Sequence, residues 1–346
     1  MSVTVAYLGP AGTFTEAALW EFAHRGHLTT PVTDTKTMLD DATRGGGAGA
    51  EVGLEAGAGG ASPADNVIPL PCTSPRDAIS ALRAGDADYA VVAIENSVDG
   101  FVTPTFDALD ADGIQIYAEL DVPIAFAMMM RPGMSLSEVT TVTTHPVAYQ
   151  QVKTWLADTI GEHTFVPASS NAAAAQIVAD GGADLAAAPA RSAELFHLTV
   201  VAENIADVAG ARTRFVVVGP TGMSPAPTGV DRTAVVFTLR NEPGSLVAAL
   251  TEFAVRGVDL FRIESRPIEN GLGTYRFHVD LNGHVTQPMV AEALRALYVR
   301  CESIKFLGSW PAAPTASERE RQLHHNNHLL AEAESWVSAA QTGRMT

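Results

Sequence analysis

Cysteine is almost missing: the 346 residues contain two, Cys72 and Cys301, far apart and in no CxxC pair or metal-ligand spacing. A disulfide scaffold is therefore not expected, and a reduced compartment is the simplest setting. Positive charge is also scarce, since 22 Lys and Arg stand against 39 Asp and Glu, for a formal charge of −17. Nucleic acid would be repelled by such a chain unless a basic patch were concentrated somewhere, and none is visible. Long apolar runs are lacking too. The longest near the middle, Val122 to Met130, is far short of the ~20 residues a membrane-spanning helix needs. The opening MSVTVAYLG has no basic lead and reads as a strand rather than a signal, so no membrane partner and a cytoplasmic location are expected. What remains is ordinary for a globular protein, 47% hydrophobic and 18% charged, with length for two or three domains. An acidic protein that handles an anion must place a few Arg or backbone N–H groups locally.

Strand and helix patterns alternate along the chain. Val3 to Leu8 reads as a buried strand ending at Gly9-Pro10-Ala11-Gly12-Thr13, and a helix follows from about Phe14 to His24 with Thr13 or Thr15 as its cap. Residues 44–64 are rich in Gly and Ala and read as a flexible surface insertion; they lack Lys and the spacing of a phosphate loop. A helix (Ser74 to Ala84) and a strand (Ala87 to Ile94) come next. Strands are then expected at 114–119, 124–130, 163–167, 185–188 and 215–219, with helices at 146–159 and 171–180. This alternation favours a mostly parallel sheet. The proline-rich stretch from Pro220 to Val230 reads as a linker, and Asp231 to Trp310 has the βαββαβ order of a ferredoxin-like sandwich. A helix is expected in the polar tail from Ser317 to Ala340, where His324, His325 and His328 read as solvated surface rather than metal ligands.

Three motifs sit where an α/β protein places its ligands. The glycines of Gly9 to Thr15 let backbone approach a ligand, and the following helix offers N–H groups to an anion, although a plain capped turn has the same residues. Glu95-Asn96-Ser97-Val98-Asp99-Gly100 is a polar cluster at the end of an apolar strand, readable as cap or site. Thr213-Arg214-Phe215 sets a planar fork suited to a carboxylate beside a hydroxyl. His145, just before Pro146, is readable either as a helix-start residue or as a proton source.

In order, GPAGTFTEAAL, IENSVDG, the THP at 144–146, ARTRFVVVG, NEPGSL and IESRP resemble the prephenate dehydratases, over about residues 3 to 310. The resemblance breaks at the Gly/Ala insertion and in the tail. It implies an α/β catalytic part of two subdomains, like a periplasmic-type binding protein, over residues 1–219. A linker at 220–230, a ferredoxin-like ACT regulatory domain at 231–310 and a tail at 311–346 would follow. The implied activity is that of a lyase converting prephenate to phenylpyruvate, CO2 and water in phenylalanine biosynthesis, with no metal or cofactor. Thr213 would be central to catalysis and Arg214 would bind a substrate carboxylate. Gly12, Thr13, Asn96, Ser97, Ser169, Ser170 and Phe215 would line the cleft, with His145 the candidate proton source. Because a threonine is a poor acid at neutral pH, a hydrogen-bond donor role suits Thr213 better than full proton transfer.

The same resemblance implies feedback by L-phenylalanine at sites shared between subunits. Asn241, Pro243, Gly244, Ser245, Leu246 and Val247 would supply one part, and Glu264, Ser265, Arg266 and Pro267 the other. A homo-oligomer, dimer or tetramer, is the consequence. Ser245 stands where the family usually has Ala, and Val147 where Gln is frequent. Two alternatives compete: an arogenate dehydratase, performing the same elimination on the amino-acid analogue, and a non-catalytic amino-acid sensor.

Overall fold

A computed structural model describes residues 2–28, 63–208, 210–268, 275–313 and 332–343. The Gly/Ala segment before Pro63 and the three tail histidines lie outside these residues; of the expected tail helix, 332–341 are described and helical. The first lobe runs β1 (Val3–Leu8), α1 (Phe14–His24), β2 (Val67–Cys72), α2 (Pro75–Ala84), β3 (Tyr89–Asn96), β4 (Gly100–Phe101), α3 (Thr103–Leu109) and β5 (Ile114–Pro123). The second runs β6 (Ala127–Met130), β7 (Thr141–Thr144), α4 (Pro146–Gln150), α5 (Lys153–Thr159), β8 (Thr164–Pro167), α6 (Asn171–Ala179), β9 (Leu185–Ala188), α7 (Ala190–Leu195) and β10 (Thr199–Glu203). The chain then returns to the first lobe as β11 (Arg212–Pro220).

Both sheets are mixed, which corrects the expectation of a mostly parallel one. The first has the order β2-β1-β3-β11-β5, and the second β10-β6-β9-β7-β8. Strands joined by helical crossovers run parallel: β1 with β2 and β3, β7 with β8 and β9. Strands that enter from the other lobe run against them, so β11 is antiparallel to both β3 and β5, and β6 to β9. The expected helix over 146–159 is broken at Gln151 and Val152 into α4 and α5. β2 escaped the sequence reading because Pro69 and Pro71 argue against a central strand. Its place at the sheet edge removes that objection, since an edge strand need not donate on its outer side.

The C-terminal part comprises β12 (Asp231–Thr238), α8 (Ser245–Ala254), β13 (Leu260–Pro267), β14 (Tyr275–Asn282), α9 (Pro288–Arg300) and β15 (Ser303–Pro311). Its antiparallel sheet has the order β13-β14-β12-β15, the ferredoxin-like arrangement. The two helices cover one face through Phe237, Phe253, Val279 and Leu297. The other face is pressed onto the first lobe. Ala234, Val236, Leu307 and Trp310 share one core with Ile114, Ile116, Val216 and Val218. Gly308 shows how close the approach is: with φ +135 it lies where an added Cβ would meet the Ile116 carbonyl oxygen at 2.4 Å.

Polar contacts border this shared core. Arg232 Nε donates to Glu119 at 3.1 Å with both side chains buried, and Arg266 reaches Asp107 at 2.9 Å. Arg276 pairs with Asp110, while Lys305 donates to the Leu109 carbonyl, so the last turn of α3 meets a group of cations that complements its dipole. The connecting stretch after Pro220 has no regular structure but is tied to both sides, through Gln115 to Ser224 and through His284 and the Pro225 carbonyl. No helix among the described residues is long and apolar enough to cross a membrane.

Candidate active site

The turns that follow β1 and β3 reach across to the second lobe. Asp99 accepts from Gln151 Nε2 at 2.7 Å, and the Gly12 carbonyl accepts from Ser192 Oγ at 3.1 Å. Gly12 has φ +88, and a Cβ there would stand 3.1 Å from both Leu195 and Ser192, so glycine permits this approach. Beside the Asp99 contact, the end of β3 pairs with the start of β11.

Thr213 is the second residue of β11, with Asn96 as its registered partner on β3. The amide of Asn96 is oriented by its own turn, because Oδ1 accepts the N–H groups of Val98 and Asp99 at 2.8 and 3.2 Å. That leaves its NH2 to donate to Thr213 Oγ1, at 2.9 Å. A hydroxyl that accepts from an amide keeps its own proton for a third group. Thr213 is only 7% exposed, so a bond it donates would form in a water-poor setting. Ser97 extends the ladder by one rung: its Oγ accepts the Arg212 N–H and its N–H donates to the Arg212 carbonyl, both at 2.9 Å. It clamps the start of β11 instead of offering a free hydroxyl.

Arg214 departs from the sequence expectation. Successive residues of a strand face opposite ways, so the neighbour of Thr213 turns away from it. The Arg214 guanidinium lies 3.2 Å from Asp121 and 3.5 Å from Glu95, with the Phe261 ring of β13 4.6 Å beneath it. Burial works against its charge, but Glu119, Asp121 and Glu95 outweigh that and raise its pKa above the ordinary value. It is a paired cation on the face of β11 opposite Thr213, not a free fork. Phe215 is also reassigned, since it is 2% exposed and packs with Phe22 and Leu19 of α1.

On the opposite lobe, His145 caps α4, its Nδ1 accepting the Val147 N–H at 3.3 Å, and its own N–H reaches Asn171 Oδ1 at 3.3 Å. Burial lowers its pKa despite Asp99 nearby, so at neutral pH the ring is uncharged and carries its hydrogen on Nε2. That suits a hydrogen-bond donor better than a source of protons. Ser170 caps α6 through the Ala173 N–H at 3.0 Å, and Ser169 beside it is exposed. Thr13 spends its hydroxyl on the α1 cap, accepting from Glu16 N–H and donating to the Leu8 carbonyl.

The residues expected to hold an effector fall into two groups. Pro243, Gly244 and Ser245 line a groove of about 920 Å³ with Arg240, Arg256 and Arg300. Glu264, Ser265, Arg266 and Pro267 lie outside it, on the edge strand β13. Val247 is 69% exposed, and Leu246 packs toward the helices. Sequence reasoning missed the bond between Gln151 and Asp99, because Gln151 fell inside an expected unbroken helix. It also missed Phe261, whose partners are 47 and 29 residues away in the sequence and left no local signal.

A family model described as prephenate dehydratase matches residues 55–222. The prephenate dehydratase of Corynebacterium glutamicum is 50% identical over 343 residues, covering 98% of this chain and 97% of that protein. Among solved structures, the prephenate dehydratase of Arthrobacter aurescens in complex with L-Phe is similar with a TM-score of 0.74 and 35% identity, over 98% of this chain and 100% of that one. A chain described as a novel type of quorum quenching acylase is similar with a TM-score of 0.71 and 27% identity, over 90% of this chain and 98% of that one. With a curated relative half identical along nearly its whole length, the chain belongs to the prephenate dehydratase family.

Proposed function

We propose that the chain converts prephenate to phenylpyruvate, with Thr213 as the hydrogen-bond donor to the departing hydroxyl. The substrate carries a ring carboxylate and a ring hydroxyl on a cyclohexadiene. As the carboxylate leaves as CO2, its bonding electrons enter the ring and expel the hydroxyl, which takes up one proton and departs as water. Aromatisation supplies the driving force, so the protein must position the dianion and stabilise the leaving oxygen. The observation that carries the reading is the bond from the Asn96 amide to Thr213 Oγ1, which leaves that hydroxyl with a proton to present. Such preorganised donors contribute about 10²–10³ in rate. Since Arg214 is committed to Glu95 and Asp121, a carboxylate is assigned to the N-terminal turn of α6, beside Ser170.

An acylase chemistry at Thr213 is disfavoured by the same geometry. A threonine nucleophile needs a base to take its proton, and the partner here is an amide that donates. Residues 1–219 are read as the catalytic part and 231–310 as an ACT-type regulatory part that senses L-phenylalanine. The division of the effector residues between a groove and an edge strand suits a site completed by a second copy, hence a homo-oligomer, working in the cytoplasm.

The test is turnover of prephenate by the purified chain with and without L-phenylalanine, in parallel with arogenate. Thr213→Val should lower kcat by about 100-fold or more while L-phenylalanine binding by calorimetry persists. Wild-type turnover in that variant would remove the hydroxyl from the mechanism.

A further inference from the structure

One strand of the C-terminal part, β13, adds three contacts of its own to the first lobe. On β13, Phe261 meets Arg214, Arg262 lies 4.5 Å from the Phe106 ring, and Arg266 pairs with Asp107. The first contact is unlike the others because it ends one residue from Thr213. Two guanidiniums lie against the Phe261 ring, Arg232 at 3.5 Å and Arg214 at 4.6 Å from its centre. Each guanidinium is also anchored by acids, Arg232 by Glu119 and Arg214 by Asp121 and Glu95. The stack therefore links β12, β13, β11, β5 and β3 in sequence.

The backbone is shaped for this contact. The register between β13 and β14 shifts between Leu260 and Arg262, which makes Phe261 the extra residue of a β-bulge. In an unbroken strand Phe261 and Arg262 would face opposite sides, and one would turn away from the first lobe. A bulge re-aims a side chain, and here both reach that lobe while Leu260 stays packed toward the helices. At the other end of the stack, the two residues that follow Glu95 and precede Arg214 in the paired strands are Asn96 and Thr213 themselves. The electron-rich face of an aromatic ring attracts a cation, and the attraction grows when water is excluded. Arg214 is thus held from behind by the ring and from the sides by carboxylates.

We propose that Phe261 is a positioning residue for Thr213. Through Arg214 it fixes the start of β11 against Glu95 and so sets the distance from Thr213 to Asn96, which makes the C-terminal part a component of the catalytic geometry. This rests on the reading of Thr213 as the donor. Because β13 also carries Glu264 to Pro267, a shift of that strand reaches the catalytic hydroxyl through this ring.

The full-length chain with Phe261→Leu and Phe261→Tyr separates this from simple packing. Both replacements keep a large, mainly apolar side chain, and only tyrosine keeps an aromatic face. Expected for Phe261→Leu is a kcat about tenfold lower with KM little changed, in line with the steep cost of a small misplacement, beside a lowered urea midpoint that leaves the chain folded under assay conditions. Phe261→Tyr should stay within about twofold of wild type. Equal kcat in the leucine variant and the wild type, or equal losses in both variants, would overturn the proposal. A separate readout guards against failure of the underlying reading. In chain labelled with ¹⁵N-asparagine, the Asn96 side-chain amide resonance should move in Phe261→Leu and stay in place in Phe261→Tyr, whatever the substrate. If prephenate is not turned over at all, the function is wrong, and an unmoved Asn96 resonance then overturns the positioning role independently.

Discussion

At the scale of single residues, the candidate site depends on which partner uses which lone pair or proton. Asn96 commits its oxygen to two backbone N–H groups and its nitrogen to Thr213, so one side chain both closes a turn and orients the hydroxyl. Replacing it by alanine removes both functions. Asn96→Ala should lower kcat by about tenfold to 100-fold, and kinetics on prephenate will show whether kcat falls more than KM rises. Thr213 and Asn96 stand out in the sequence as motif residues, but their hydrogen bond is not legible there, since 117 positions separate them. The opposite holds for Arg214, where adjacency in the sequence suggested a shared task that strand alternation prevents.

Secondary-structure elements determine how the lobes approach each other. α1 matches its expected span because every local cue agrees: Thr13 caps it, Glu16 stands in the first turn, and Ala18, Leu19 and Phe22 form its buried face. β7 and β10 were not recognised, being short and carrying little apolar pattern, and their pairing is decided by neighbours supplied from elsewhere. The turn ahead of α1 carries the prediction at this scale. Gly12→Ala adds a Cβ against Leu195 and Ser192 at a left-handed backbone position, so it should destabilise by about 1–2 kcal/mol in urea unfolding. It should also raise KM, because the second lobe is displaced; unchanged stability would argue that this lobe contact is loose in solution.

Across the whole molecule, the C-terminal sheet and the first lobe share an interior. Trp310 is fully buried in the core that joins the third sheet to the first lobe. Trp310→Ala should cost about 3–5 kcal/mol and loosen both parts together, seen as one calorimetric transition moving down rather than one of two. The same interface carries an acid-sensitive group. His278 is 1% exposed, and its pKa is pushed down to about 3, first by burial, then by Arg262, Arg276 and Arg266, with Asp280 opposing. The unfolded chain then binds a proton that the folded chain refuses, so this stability is complete above about pH 6.5 and is lost as pH falls toward 3. Asp110, which burial raises, titrates in the opposite sense and lies 3.4 Å from His278 Nε2, so the comparison is made in an Asp110→Asn background. His278→Leu should reduce the loss of unfolding free energy between pH 7 and pH 4.5 by roughly 2 kcal/mol.

The sequence alone determined what local chemistry can decide: the α/β and βαββαβ order, the helix caps, and the motifs that mark the family. Those follow from side-chain periodicity and backbone preference within a few residues. Only the tertiary structure decided the antiparallel return of β11, the turning of Arg214 away from Thr213, and the joining of the C-terminal sheet to that strand. Each of these requires segments from distant parts of the chain to meet, and the free energy of their meeting comes from surfaces that no short stretch of sequence contains.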